Sequence, residues 1–230
     1  MATEPAATPA TLSTEAVFDL VGPAYEDAFA GLPTQAASIR WILSQLSAAG
    51  VARAKTVDIG CGTGKPVCSE LAAAGHDVLG IDISGAMVDA ARARVPAARF
   101  DKVDIRDFRP GAATYDVATA YFSLIAGVTQ DEIRAVLAQV FGFLKPGGLF
   151  VWSTVPLDAE RADIRWMGKP VTVSSLAPEP AVAAVRAAGF VIEHEAVTTF
   201  TPKGAEAGIC QPEDVWEETH LFVYARKPVL

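Results

Sequence analysis

Thr56–Asp82, TVDIGCGTGKPVCSELAAAGHDVLGID, is the stretch from which the fold of this chain can be read. Val57 and Ile59 are β-branched residues in a short apolar run, as a buried strand requires. Gly60, Gly62 and Gly64 then alternate through a turn, and Pro66 falls near the first turn of a helix, where its missing N–H costs little. Val78, Leu79, Gly80 and Ile81 form a second buried strand that ends at Asp82. Strand, glycine-rich turn, helix, strand and terminal carboxylate predict a cradle for a nucleotide cofactor. Such a turn exposes backbone N–H groups and lets a ligand approach the main chain closely.

Working outward toward the N-terminus, Ser13-Thr14-Glu15-Ala16 reads as a helix start with capping-box character, and Val17, Phe18, Leu20 and Val21 supply an apolar face up to Gly22-Pro23. Tyr25 and Phe29 are four apart and would share a helix face, and a longer helix is expected from about Thr34 to Ala48 with Ile39, Ile42, Leu43 and Leu46 as its buried stripe. Toward the C-terminus, Ser84 is a candidate N-cap for a helix that Pro96 stops, and RFDKVDIRDF supplies a third strand and a loop with Asp104 and Asp107. A fourth strand is expected from about Tyr115 to Ala120. The helix of TQDEIRAVLAQVFGFL starts with Thr129 and Glu132 at capping-box spacing, and a fifth strand follows from Leu149 to Val155. Alternating strands and helices imply right-handed crossovers and a parallel sheet covered on both faces. The last third reads as a loop from Pro156 to Ser175, a helix from Pro178 to Ala188, and two strands near Phe190–Phe200 and Thr219–Arg226 that look like an antiparallel pair at one edge.

The 230 residues suit one large α/β domain, and 51% hydrophobic against 20% charged residues is the balance of a globular chain. A net charge of −8 argues against a grip on nucleic-acid backbones, and no apolar run is long enough to cross a bilayer. Cys61, Cys68 and Cys210 are an odd count with no metal-ligand spacing, so neither disulfides nor a metal site is expected, and a reduced cytoplasm is the natural compartment. Residues 1–12, rich in Ala, Thr and Pro, read as a flexible tail without the basic and apolar blocks of a secretory signal. Residues 13–230 read as one unit: helical lid 13–50, cofactor core 55–155, and substrate-side loop with C-terminal strands 156–230.

The dinucleotide fingerprint is G-x-G-x-x-G, whereas Asp58-x-Gly60-x-Gly62-x-Gly64 has offset glycines with an acid two residues ahead. With that spacing, VDIGCGTGKP resembles the first motif of the class I S-adenosylmethionine-dependent methyltransferases. The likeness continues through GIDISGAMVDAAR, VDIRDF, YDVATAYFSL and LKPGGLFV. The resemblance implies a Rossmann-like, doubly wound, mostly parallel seven-stranded sheet with an antiparallel C-terminal edge pair and N-terminal lid helices. It implies S-adenosylmethionine as cofactor and S-adenosylhomocysteine as product.

Carried over by position, Gly60, Cys61, Gly62 and Gly64 would line the methionine and ribose side, with Asp58 orienting the amino-acid end. Asp82 would accept from both ribose hydroxyls. Ile83 and Met87 would sandwich the adenine, and Asp104 with the Ile105 backbone would meet its edge. Tyr121, Phe122 and Ser123 would border the sulfonium and acceptor. Tyr25 is not carried over; as a hydroxyl-bearing aromatic just before the cofactor unit it reads as a residue that closes over the site. Trp166 and Met167 are the lid candidates beside a small organic acceptor methylated on O, N or C. Thr119–Ser123, TAYFS, stands where enzymes acting on nucleobase or glutamine amino groups carry Asn/Asp-Pro-Pro-aromatic, which points away from those acceptors. In-line displacement needs alignment more than acid–base machinery, and His76, His194 and His220 all read as structural, so no catalytic base is named. The alternative is a protein that binds the same cofactor without transferring its methyl group, as a cyclase-like or lyase-like catalyst or a regulator. Monomer and homodimer are both compatible with the sequence.

Overall fold

The computed structural model describes residues 12–229; of the expected tail at residues 1–12, residues 1–11 lie outside them, and Leu12 N donates to Pro170 O at 3.4 Å. The elements run α1 Thr14–Val21, α2 Tyr25–Ala28, α3 Pro33–Ala48, β1 Lys55–Ile59, α4 Val67–Ala73, β2 Asp77–Asp82, α5 Gly85–Arg94, β3 Arg99–Lys102, β4 Tyr115–Tyr121, α6 Gln130–Phe143, β5 Leu144–Thr154, β6 Ala159–Trp166, β7 Lys169–Ser175, α7 Pro178–Ala187, β8 Val191–Phe200 and β9 Glu218–Arg226. Among the described residues no helix is long and apolar enough to cross a membrane.

Seven strands form one sheet in the order β3-β2-β1-β4-β5-β9-β8. β1 pairs in parallel with β2 on one side and β4 on the other, so the chain reverses its winding there and leaves a crevice above the β1 and β4 carboxyl ends. β9 is antiparallel to both β5 and β8 and is the strand that runs against the rest. The sheet is covered on both faces. α6 and α7 close one with Leu137, Val140 and Val185, while α3, α4 and α5 close the other with Ile39, Ile42, Leu71 and Val88.

Local chemistry sets the helix starts. Ser84 accepts from Met87 N (3.1 Å) to cap α5, and Thr129 and Glu132 form a reciprocal capping box on α6. Ser13 caps α1 through Ala16 N (3.2 Å), but the third helical residue is Ala16, so the expected box is a single cap; Glu15 instead reaches Lys102 at 2.5 Å.

The stretch Pro156–Ser175 is not a loop. β6 and β7 form a separate antiparallel hairpin whose Trp166 pairs with Lys169. Met167 and Gly168, at φ 45° and 73°, make the two-residue turn, since positive φ at both positions matches the strand twist. The period-two pattern was present in the sequence, with Ala162, Ile164 and Trp166 alternating with charged neighbours and Val171 and Val173 flanking Thr172, and its apolar side is completed by Val17 and Val21 of α1.

Candidate functional site

The glycine turn is strapped to β2, with Gly60 N and Cys61 N both donating to Ile81 O at 2.8 and 3.0 Å. Asp82, at the end of β2, accepts from Gly62 N through Oδ2 (2.9 Å) and from Ser84 N through Oδ1 (2.9 Å). Burial raises its carboxyl above the ordinary range, against the lowering pull of those N–H groups. Gly60 has φ 69°, and a Cβ there would fall 2.2 Å from Ser123 Cβ, so β1 and the β4 loop meet backbone to side chain. Gly62 has φ 53°, yet a Cβ would meet nothing within 4 Å, because it would project into open space. Gly64 differs from expectation: its Cβ position lies 2.9 Å from Phe100 Cζ, so it packs toward the core beneath the turn and is not among the residues lining the cavity in front of Gly62.

That open space is a cavity of about 460 Å³. Asp58, Gly60, Cys61, Gly62 and Asp82 line one side of it, and Ile83, Met87, Asp104 and Ile105 another. Tyr121, Phe122 and Ser123 come from the end of β4, and Tyr25 from α2. Asp58 is almost fully buried; it accepts from Thr119 Oγ1 at 2.6 Å and from Cys68 Sγ at 3.5 Å. Burial, outweighing those bonds, pushes its carboxyl up to about 7. Tyr121 is fixed by Ser38 at 2.6 Å between their hydroxyls.

Asp104 makes contacts the sequence did not signal. Its Oδ1 accepts from Arg106 N (2.8 Å), and Arg106 Nη2 lies 2.6 Å from Oδ2. Burial would raise this carboxyl, but the Arg106 bonds hold it below the usual range. Its oxygens are therefore engaged as a turn cap and ion pair.

The N-terminal helices close over this cavity through three carboxylates. Glu15 pairs with Lys102, and Asp19 accepts from Ser84 Oγ (2.5 Å) and Ala86 N (3.2 Å) at the start of α5. Glu26 accepts from Thr63 Oγ1 (2.8 Å) in the glycine turn and from Arg94 (2.5 Å). Thr63 and Glu26 both line the cavity, and sequence spacing gave no signal for a pair 37 positions apart.

A second cavity of about 280 Å³ adjoins the first, sharing Phe18, Tyr25, Phe29, Phe122, Ser123 and Ala126 as walls. Phe122 sits at φ 54° at the top of β4, a conformation that costs a bulky residue energy and aims its ring at His220 (4.4 Å). Ser123 Oγ is buried without a partner. Trp166 lines this cavity, and its Nε1–H donates to Glu218 Oε1 at 3.1 Å. Glu218 Oε2 lies 3.0 Å from His220 Nε2. Met167 lines neither cavity; the hairpin turn swings it onto Gly204, where it is buried. Tyr25 stands between the two spaces, and its hydroxyl is pushed up by burial and by the charges of Glu218 and Asp82. Glu218 and His220 were missed as site residues; their signal was the i, i+2 spacing that puts both on one face of the last strand.

Residues 56–148 match a family model described as "Methyltransferase domain". The dTDP-3-amino-3,4,6-trideoxy-alpha-D-glucopyranose N,N-dimethyltransferase of Streptomyces venezuelae is 34% identical over 95 residues, 41% of this chain and 40% of that protein. The match thus spans well under half of that relative. A solved S-adenosylmethionine dependent methyltransferase from Mesorhizobium loti superposes with a TM-score of 0.60 at 24% identity, covering 83% of this chain and 96% of that one. The [4+2]-cyclase SpnF superposes with a TM-score of 0.65 at 20% identity, covering 96% and 98%. With the sheet order and the glycine turn closed by Asp82, residues 56–148 form a methyltransferase domain on a fold that solved S-adenosylmethionine-dependent methyltransferases share.

Proposed function

We propose that the chain transfers a methyl group from S-adenosylmethionine to O, N or C of a small organic acceptor held in the second cavity. The observation that carries this reading is the meeting of two cavities at Tyr25, Phe122 and Ser123. A donor in the larger and an acceptor in the smaller would face each other across that wall, which is the alignment an in-line displacement needs. When bound, the sulfonium supplies an electrophilic methyl group and leaves as a thioether.

The residues present fit the cofactor. The space in front of Gly62 admits close approach to the main chain, and Asp82 keeps lone pairs beyond those used by Gly62 and Ser84 for the two ribose hydroxyls. Asp58, buried at the cavity wall, would pair with the cofactor's ammonium, and Ile83 and Met87 would flank the adenine. Asp104 is spent on Arg106, so in this reading it shapes the adenine end rather than binding it. Residues 13–50 and 156–230 would act as the acceptor-side cover of a core at 55–155, in a single unit working in the reduced cytoplasm.

The methyl acceptor of the S. venezuelae relative is a sugar amine, by its name, but its alignment takes in only 41% of this chain and cannot reach both cover segments. A second reading, cofactor binding without transfer, draws on the full-length likeness to a cyclase. Calorimetry with S-adenosylmethionine followed by incubation with methyl-labelled cofactor and an acceptor panel separates the two. Label in an acceptor is expected; tight binding with no label in any acceptor would favour the second reading, and no binding at all would reject both. Asp82→Ala should weaken cofactor binding by about 1 to 3 kcal/mol, since it removes charge-assisted hydrogen bonds.

A further inference from the structure

The charge pattern of the second cavity narrows its ligand, and the inference that follows rests on the reading that this cavity holds the acceptor. Among its lining residues there is no Lys or Arg, and its charged groups are Glu217 and Glu218. Glu218 is 7% exposed. An indole N–H can only donate, so Glu218 Oε1 is an acceptor from Trp166 at 3.1 Å. Oε2 faces His220 Nε2 at 3.0 Å, while His220 Nδ1 is buried without a partner. An unfilled lone pair at Nδ1 is cheaper to bury than an unpaired N–H, which places the imidazole proton on Nε2, donating to Glu218. The carboxylate is then held by two donors, Trp166 Nε1–H and His220 Nε2–H, and no Lys or Arg pairs with it among the described residues.

Around this carboxylate stand aromatic rings. Phe18, Tyr25, Phe29 and Trp166 form one cluster, with centroids from 4.6 Å (Tyr25 to Phe29) to 6.5 Å (Phe29 to Trp166). Ring faces attract cations, and the attraction grows when water is excluded. A buried carboxylate with no Lys or Arg beside it is costly to keep, and a cation arriving in the cavity offsets that cost. Trp216 and Leu157, 42% and 53% exposed, also line the cavity and give it an apolar mouth.

The geometry points to an organic amine as the acceptor: an ammonium nitrogen seated between Glu218 and the aromatic rings, on an apolar body that leaves between Leu157 and Trp216. The ammonium gives one proton to the Glu218 carboxylate, which frees the nitrogen lone pair. That pair forms the C–N bond as the C–S bond breaks, and the C–S electrons stay on sulfur. The product leaves as the methylated ammonium, and Glu218 returns its proton to water. Trp166 and His220 are positioning residues that fix the carboxylate.

The test uses the full chain and three probes of one shape: N-methylbenzylamine, its neutral counterpart benzyl methyl ether, and phenylacetate. Each is titrated by calorimetry with and without S-adenosylhomocysteine, so that absence of cofactor binding, which would sink the methyl-transfer reading, is seen apart from amine preference. The amine should bind about tenfold or more tighter than the ether, and phenylacetate more weakly than both. In Glu218→Gln that preference should fall to about threefold or less, and label transfer to the amine should drop by about tenfold or more. Equal or weaker amine binding by the wild type, or a preference retained in Glu218→Gln, overturns the proposal. If melting shows that Glu218→Gln does not fold, Trp166→Phe, which keeps the carboxylate but strips an indole donor, must weaken the amine by about threefold, and unchanged affinity overturns it.

Discussion

Gly60 and Gly62 show how little separates a structural glycine from a cavity-facing one. Both have positive φ, which costs an alanine about 1–2 kcal/mol. Beyond that they diverge, because Gly60 abuts Ser123 and Gly62 abuts open cavity. Gly60→Ala should therefore add overpacking to strain and destabilise by about 3 kcal/mol or more. Gly62→Ala should cost stability only the strain of about 1–2 kcal/mol, while S-adenosylmethionine affinity falls about tenfold or more because the methyl occupies cofactor space. Chemical denaturation and calorimetry on the two variants read both effects; equal stability losses, or full affinity in Gly62→Ala, would contradict the assignment. The alternating glycines were visible in the sequence, but which of them faces the cavity depended on Ser123 and Phe100, residues far along the chain.

At the scale of elements, α1 and α2 are tied to the cofactor half mainly by Glu15, Asp19 and Glu26. Glu26 reaches the glycine turn itself, and Asp19 sits where the N-terminus of α5 favours a negative charge. Asp19→Asn with Glu26→Gln should cost the sheet little stability, because the partly exposed Glu26 ion pairs contribute about 0.2–1 kcal/mol each and a hydrogen bond such as Ser84 to Asp19 about 0.5–1.5 kcal/mol net. It should raise hydrogen exchange in residues 14–28 and speed cofactor dissociation by about tenfold. Unchanged dissociation in stopped flow would mean that these helices do not gate the cavity. The elements legible in the sequence were those whose pattern is complete within one segment: the buried parallel strands, the capped helices and the final strand pair. The β6–β7 hairpin was legible as well, in the alternation of Ala162, Ile164 and Trp166 with charged neighbours, but what its apolar side packs on, Val17 and Val21 of α1, was not. Glu218 and His220 escaped because their meaning arises only when Trp166, 52 positions from Glu218, is brought beside them.

For the whole molecule, the winding reversal between β1 and β4 gathers Asp58, Asp82 and Tyr121 at one crevice, and β9 returns from the far edge to set Glu218 beside it. Concentrating buried carboxylates there couples stability to pH. Asp58 titrates near 7 when folded and near the ordinary carboxylate value, about 4, when unfolded. Between these values the folded state binds more protons, so this residue's contribution is fully present below about pH 4 and is lost as pH rises through 7. Asp82, raised in the same direction by burial, adds to the slope. A cofactor ammonium beside Asp58 would favour its ionised form, so binding near pH 6 should release a proton and affinity should rise from pH 6 to 7.5. Calorimetry in buffers of different ionisation enthalpy measures that release directly. In Asp58→Asn the release should vanish, along with most of the wild type's stability loss between pH 5 and 7. Proton uptake on binding, or a release that persists in the Asn variant, would place the cofactor's ammonium elsewhere in the cavity.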